Sequence, residues 1–264
     1  EDENMVLLIL HLSDIHLKDV DNPIIERQEK ILSAVQAEFA DAKSLICLVT
    51  GDIASSGKES EYSVAKGFFS SLKEGVSKQF KLAAPFIFVP GNHDCEVSKE
   101  AALRQSVIAG IKSSLESISF DDTSVCDECT KVQDNYYKFV SSVNGEACSL
   151  VGSDRLHFTT YHSFDSCNVS IECFNTAWLS QRQEKQGQLF YPSKLLETPD
   201  ASSDLAISIF HHPYNWLEAD NARAFRKNIE RKSDIILTGH EHEATSYTKT
   251  SARGEHSHYV EGAV

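Results

Sequence analysis

The chain has 264 residues, 41% of them hydrophobic and 24% charged. That is an ordinary globular composition, with length enough for one large α/β domain around a substantial core. Its 39 acidic residues outnumber 25 basic ones, for a net charge of -14. So few cations exclude an extended groove for a long nucleic-acid duplex, which would have to neutralise many phosphates.

Five short apolar, β-rich runs read as buried strands, and each leads straight into a polar motif. Val6–Leu12 is followed by Asp14-Ile15-His16. Pro23–Phe39 then places Ile24, Ile31, Leu32, Val35 and Phe39 on one helical stripe. Leu45–Thr50 is the second strand and runs into Gly51-Asp52. Tyr62–Phe80 repeats the helical stripe with Tyr62, Ala65, Phe69, Leu72 and Val76. Pro85–Pro90 is the third strand, ending at Gly91-Asn92-His93-Asp94. A helix is expected over Glu100–Ile118, with Leu103, Val107, Ile111, Leu115 and Ile118 facing the core. These stripes are plain core-facing faces. Ser119–Gly152 has the least regular pattern. Phe158–Tyr161 and Ile171–Leu179 read as strands, and Phe190–Leu196 as the start of a helix. Leu205–Phe210 is the next strand and delivers His211-His212-Pro213. Asp234–Thr238 delivers Gly239-His240-Glu241-His242, and His256–Val264 reads as one strand more.

No run of 18 apolar residues exists, so no membrane-spanning helix is expected. Seven scattered cysteines, an odd number, point to reduced thiols and a cytoplasmic protein.

Five strands would therefore each present polar residues at the C-terminal end, the edge where ligands bind in open sheets flanked by helices. Asp14, His16, Asp52, Asn92, His211, His240 and His242 supply oxygen and imidazole nitrogen and no thiolate, a donor set suited to Mn, Fe, Zn, Ni or Co. Seven ligands are too many for one catalytic ion, which keeps a position open for water. They suit two divalent ions sharing one carboxylate, a known clamp for in-line displacement at phosphorus.

The five motifs, in this order from Asp14 to His242, resemble those of the calcineurin-like metallophosphoesterases, which carry D-x-H, G-D, G-N-H-[D/E], a strand-end His and G-H-x-H. The resemblance implies an α/β fold of four layers, an αββα sandwich of two mixed β-sheets flanked by helices, as a single domain over residues 1–264. It implies that residues 119–152, between the third and fourth motifs, are a substrate-shaping insertion. Related chains usually continue past G-H-x-H for a strand or two, so this chain is expected to be cut from a longer one with further domains.

The same resemblance lends roles to residues. Asp14, His16, Asp52 and His242 would hold the first ion. Asp52, Asn92, His211 and His240 would hold the second, with Asp52 bridging. Of the adjacent pair, His211 is the ligand by analogy, and His212 would orient one, as metal-bound histidines usually require. His93 would sit by the leaving-group oxygen, with Asp94 orienting it. The expected enzyme is a binuclear metal-dependent phosphoesterase, a hydrolase acting on ester bonds, with Mn the metal of choice in vitro. A hydroxide between the ions would attack phosphorus, the pKa of its parent water being lowered from about 15.7 towards about 7. The favoured substrate is a phosphodiester in a nucleotide or at a nucleic-acid end. The alternatives are a phosphomonoester of a protein or small metabolite, and a non-catalytic nucleotide-binding sensor.

The remaining polar features have plainer readings. Cys126-x-x-Cys129 lacks the second pair a structural zinc needs. His256-x-His258 shares one strand face and reads as a solvated strand end. His11 is expected as a hydrogen-bonded core residue. His157 or His162 is a candidate for substrate contact, and Asn175–Thr176 for a pocket lining or a turn.

Overall fold

Burial along β2 (Ser44–Val49) divides its side chains between two cores: Leu45, Cys47 and Val49 join one apolar cluster, Ile46 and Leu48 another. Successive strand residues point to opposite faces, so this strand is covered on both sides. The computed structural model describes residues 6–39, 42–113, 123–145, 150–164, 167–196, 203–250, 254 and 256–262. In it β2 is the centre of a three-stranded sheet, between β1 (Leu7–Leu12) and β3 (Phe86–Phe88). All three strands are parallel. The crossovers run through α1 (Pro23–Glu26), α2 (Gln28–Glu38) and α3 (Glu59–Phe80), as parallel pairing requires. Among the described residues this first sheet is all parallel.

The later strands form a six-stranded mixed sheet. They are β4 (His157–Phe164), β5 (Cys167–Phe174), β6 (Leu205–Phe210), β7 (Ile235–Thr238), β8 (Thr245–Thr250) and β9 (His256–Glu261), in the order 4-5-6-7-9-8. The inner pairs β5–β6, β6–β7 and β7–β9 are parallel and both outer pairs antiparallel.

The two sheets face each other. Ile46, Leu48, Ile87 and Val89 of the first meet Val169, Ile171, Cys173, Ile207, Ile209 and Leu237 of the second. The outer face of the first sheet is covered by α2, α3 and α6 (Asp134–Asn144), through Val35, Tyr62, Phe69, Leu72 and Phe139. Phe69 meets Phe88 edge-on, at 5.2 Å between ring centroids. The outer face of the second sheet carries α4 (Ala102–Ser113), α5 (Thr123–Thr130) and α7 (Ala219–Lys232), with Phe225 and Ile229 of α7 packed on Phe174 and Phe210. The result is the expected four layers, helix, sheet, sheet, helix. No helix among the described residues is long and apolar enough to cross a membrane.

Several elements differ from their sequence patterns. The first helical stripe is broken at Arg27 into α1 and α2. α4 is described from Ala102 to Ser113, and the rest of its pattern lies outside the described residues. Phe190–Leu196 holds only a short 3-10 turn, Ser193–Leu196, because Leu189 bridges to Leu217 and Trp178 binds the Phe190 carbonyl. β5 ends at Phe174, and Thr176–Leu179 turn. In the described part of 119–152, α5 buries Cys126 and Cys129 in one outer layer and α6 buries Tyr136, Tyr137 and Phe139 in the other. Burial pushes the Cys129 thiol up to about 12.

Candidate metal centre

Parallel register brings the C-terminal ends of β1, β2 and β3 to one edge, and those of β6 and β7 to the facing edge of the second sheet. Short main-chain bonds sew the ends together. Asp14 N–H donates to the Gly51 carbonyl at 3.1 Å, His16 N–H to that of Asp52 at 2.9 Å, and Gly239 N–H to that of His211 at 3.0 Å. Glycine is required where these turns touch: a β-carbon on Gly91 would collide with Asp52 Oδ1, and one on Gly239 with Ser13 Oγ. Five non-glycine residues of the motifs take left-handed backbone: Asp14 (φ 55°), His16 (49°), Asp52 (52°), His240 (82°) and His242 (57°). For non-glycine residues such strain persists only where surroundings enforce it, and it clusters at functional sites.

All seven expected ligands converge. In the first set, Asp14 Oδ1 lies 4.0 Å from His16 Nε2 and 3.7 Å from His242 Nε2. In the second, His211 Nε2 lies 3.1 Å from both Asn92 Oδ1 and His240 Nδ1, which are 3.0 Å apart. Asp52 Oδ2 serves both sets, 3.7 Å from His16 Nε2 and 3.4 Å from His211 Nε2. Ligands bonded to one ion at about 2.1 Å lie roughly 3.0–3.4 Å apart, from right-angled to tetrahedral, so the second set already has the spacing of a coordination shell. Both Asp52 Oδ2 and His16 Nε2 are buried without a hydrogen-bond partner, a costly state that a cation would relieve.

The surroundings prepare the donor atoms. His211 gives its Nδ1–H to the Thr50 carbonyl at 2.7 Å, which leaves Nε2 for a metal. Ser13 Oγ donates to Asp14 Oδ2 at 2.5 Å, and His240 N–H to the same oxygen at 3.0 Å. Burial alone would lower the His211 pKa, but the facing Asp52 carboxylate outweighs it and holds the ring up to about 10. Burial, with His212 and His211 beside it, pushes His240 down to about 2.

His93 stands beside this cluster, its ring 4.6 Å from that of His16. Its Nδ1–H donates to the Ser55 carbonyl at 2.7 Å. Asp94 does not orient that ring. The 3-10 turn Asn92–Asp94 folds its carboxylate inward, where it accepts Gly91 N–H (2.9 Å), Ala54 N–H (3.0 Å) and the Tyr62 hydroxyl (2.8 Å). Burial first, and then the charge of Asp52, push Asp94 up to about 6.

His212 is fully buried between Thr176 Oγ1, 3.2 Å from its Nδ1, and Glu184 Oε2, 3.4 Å from its Nε2, and one of its ring nitrogens lies within 4.8 Å of ring nitrogens of His211 and His240. Asn175 joins a buried network with Gln133 and Tyr137. His11 bonds Thr50 Oγ1 at 2.8 Å, as expected of a core residue. His157 stacks on Phe174 and His162 on Phe164, while His256 and His258 bond Thr250 and Thr248 across the β8–β9 pair. Sequence reading missed Ser55, Glu184, Gln186, Trp216 and Glu241. Of these, only Glu241 carried a signal, by lying inside the last motif.

A two-sheet sandwich with paired ligand sets at one edge defines a binuclear metallophosphoesterase fold. The calcineurin-like phosphoesterase family model matches residues 7–244, and the chain belongs to that family. It is 22% identical to the uncharacterized metallophosphoesterase-like protein YydB of Bacillus subtilis (strain 168), over 98% of this chain and 54% of that protein. The chain thus spans about half the length of this relative. Among solved structures, the NAD nucleotidase NadN of Haemophilus influenzae shares the fold, with a TM-score of 0.51 and 12% identity over 97% of this chain and 45% of that one. A dimetal phosphatase of Danio rerio aligns with a TM-score of 0.45 and 11% identity, over 98% of this chain and 87% of that one.

Proposed function

We propose that this domain hydrolyses phosphate esters with two divalent ions, as a phosphodiesterase acting on nucleotides or nucleic-acid ends. The observation that carries the two-ion reading is Asp52 Oδ2, buried, unpartnered and facing both ligand sets. Asp14, His16, Asp52 and His242 would hold one ion, and Asp52, Asn92, His211 and His240 the other. Once bound, the ions would supply an activated water and neutralise charge on the phosphoryl oxygens. Manganese is the ion to supply first in vitro.

The chain's own residues do the rest. Main-chain bonds fix the ligands, so little reorganisation accompanies binding. His93, with Nδ1–H committed to Ser55, offers Nε2 to a leaving oxygen, as a general acid or a hydrogen-bond donor. Asp94 holds the turns that carry Asp52 and His93 rather than acting on the ring. The diester preference rests on the likeness of the H-H-P and G-H-x-H motifs to those of bacterial diesterases, and the fold shared with a nucleotidase makes nucleotides the first substrates to try. The thiols of Cys47, Cys95, Cys129, Cys167 and Cys173 are free, which supports a reducing compartment such as the cytoplasm.

Hydrolysis of bis-p-nitrophenyl phosphate and of p-nitrophenyl phosphate, both with Mn added, tests the reading. Faster turnover of the diester is expected. Preference for the monoester would make the domain a phosphomonoesterase. Inactivity on both, with tight nucleotide binding, would make it a sensor.

A further inference from the structure

Glu241 lies between His240 and His242, and the chemistry proposed above makes no use of it. His240 belongs to the second ligand set and His242 to the first, so residue 241 is a one-residue link between the two. Both flanking residues have left-handed backbone, with φ of 82° and 57°. Each such conformation is strained and needs outside contacts to hold it.

Those contacts converge on Glu241. Its N–H donates to Glu261 Oε1 at 3.2 Å. Its side-chain Oε1 accepts Trp216 Nε1–H at 2.6 Å, Asn215 Nδ2–H at 3.2 Å and Gln186 Nε2–H at 3.2 Å. Trp216 in turn sets its ring edge-on to that of His240, 4.1 Å between centroids. Segments after β5 and β6 are thereby tied to the strained turn through one oxygen atom.

We propose that Glu241 is a positioning residue that fixes the His240–His242 spacing and so couples the affinities of the two metal sets. The proposal rests on the two-ion reading. A rival account is that Glu241 acts by its negative charge alone, and the variants separate the two. Glu241→Gln keeps an acceptor oxygen for Trp216 and loses the charge. Glu241→Ala loses both. Trp216→Phe removes the shortest donor and keeps a ring beside His240.

The measurement is Mn retained per chain under graded chelator competition, with far-UV circular dichroism and melting of the metal-free proteins as checks of folding. Losing an outer partner of metal ligands typically weakens metal binding 10–100-fold. Glu241→Ala is expected to fall in that range and to lose both ions together. Glu241→Gln should stay within a few-fold of the unmodified protein, and Trp216→Phe should fall between. If Glu241→Gln is as weak as Glu241→Ala, charge and not positioning is responsible and the proposal fails. It fails equally if Glu241→Ala retains Mn normally or sheds one ion only. Should Glu241→Ala not fold, retention by Trp216→Phe equal to that of Glu241→Gln overturns it. Fewer than two Mn on the unmodified chain would instead overturn the two-ion reading.

Discussion

The backbone N–H of His93 donates to Asp52 Oδ1 at 2.8 Å, so the proposed bridging carboxylate is held by the segment that carries the proposed leaving-group histidine. One oxygen of Asp52 is thus spent on the main chain and the other faces both ligand sets. Because the donor is main chain, removing the imidazole leaves the bond in place. His93→Ala should therefore keep both ions while kcat falls roughly 10²–10⁴-fold, the usual worth of a general acid. Metal analysis beside steady-state kinetics checks this. Metal loss parallel to the loss of rate would make His93 a ligand instead.

Asp52→Asn probes sharing. The amide keeps an oxygen for the His93 N–H but removes the charge that both sets face. The unmodified chain should hold two ions after reconstitution, and Asp52→Asn should lose both together. Full activity at one ion per chain would contradict the bridging assignment.

Asp94→Asn should act mainly on stability. An amide turns either its oxygen or its donor group towards Gly91 N–H, Ala54 N–H and the Tyr62 hydroxyl, so at least one buried donor loses its acceptor. Such losses cost about 1–3 kcal/mol, read as a lowered midpoint in urea. Its kcat should drop much less than that of His93→Ala. An equal drop would return Asp94 to the chemistry.

His11 gives a pH signature. Burial lowers its pKa from 6.5 to about 4, with the Asp14 charge opposing. A folded pKa below the unfolded one means stability that is complete above about 6.5 and is lost as pH falls towards about 4, because the unfolded chain takes up the proton first. The full span corresponds to about 3 kcal/mol. Metal-free protein should lose stability over that window, and His11→Gln should flatten that loss. An unchanged slope in the variant would mean that other histidines carry it.

Residues whose role follows from local pattern were legible in the sequence. An apolar run ending in a turn with ligand-type side chains points to a strand and the edge it serves, which is why Asp14, His16, Asp52, Asn92, His211, His240 and His242 could be named as candidates, whereas the four layers were expected from the resemblance to the family. β8 was hidden because Thr245–Thr250 is exposed at every residue, leaving no alternation to read. The all-parallel first sheet was hidden because pairing direction depends on which strands end up as neighbours. Ser55, Glu184 and Trp216 gain their roles across chain separations of 38, 28 and 25 residues, which no local pattern encodes. Asp94 was misread because the 3-10 turn at Asn92, not the motif's order, aims its carboxylate.

The leaving group decides what His93 does. With Nδ1–H bound to Ser55, a proton for the departing oxygen has to come from Nε2. An alkoxide as basic as a ribose hydroxyl needs that proton while the bond breaks. A nitrophenolate, with a pKa of about 7, hardly does, and general acid catalysis contributes only where the proton is needed in the transition state. His93→Ala should then cost far more kcat/KM on a nucleotide diester than on bis-p-nitrophenyl phosphate. Asp94→Asn should show no such selectivity, since its carboxylate does not touch the ring. Equal losses of His93→Ala on both substrates would mean that the ring acts by electrostatic contact with the phosphoryl oxygens, which would keep the enzyme class and discard the acid.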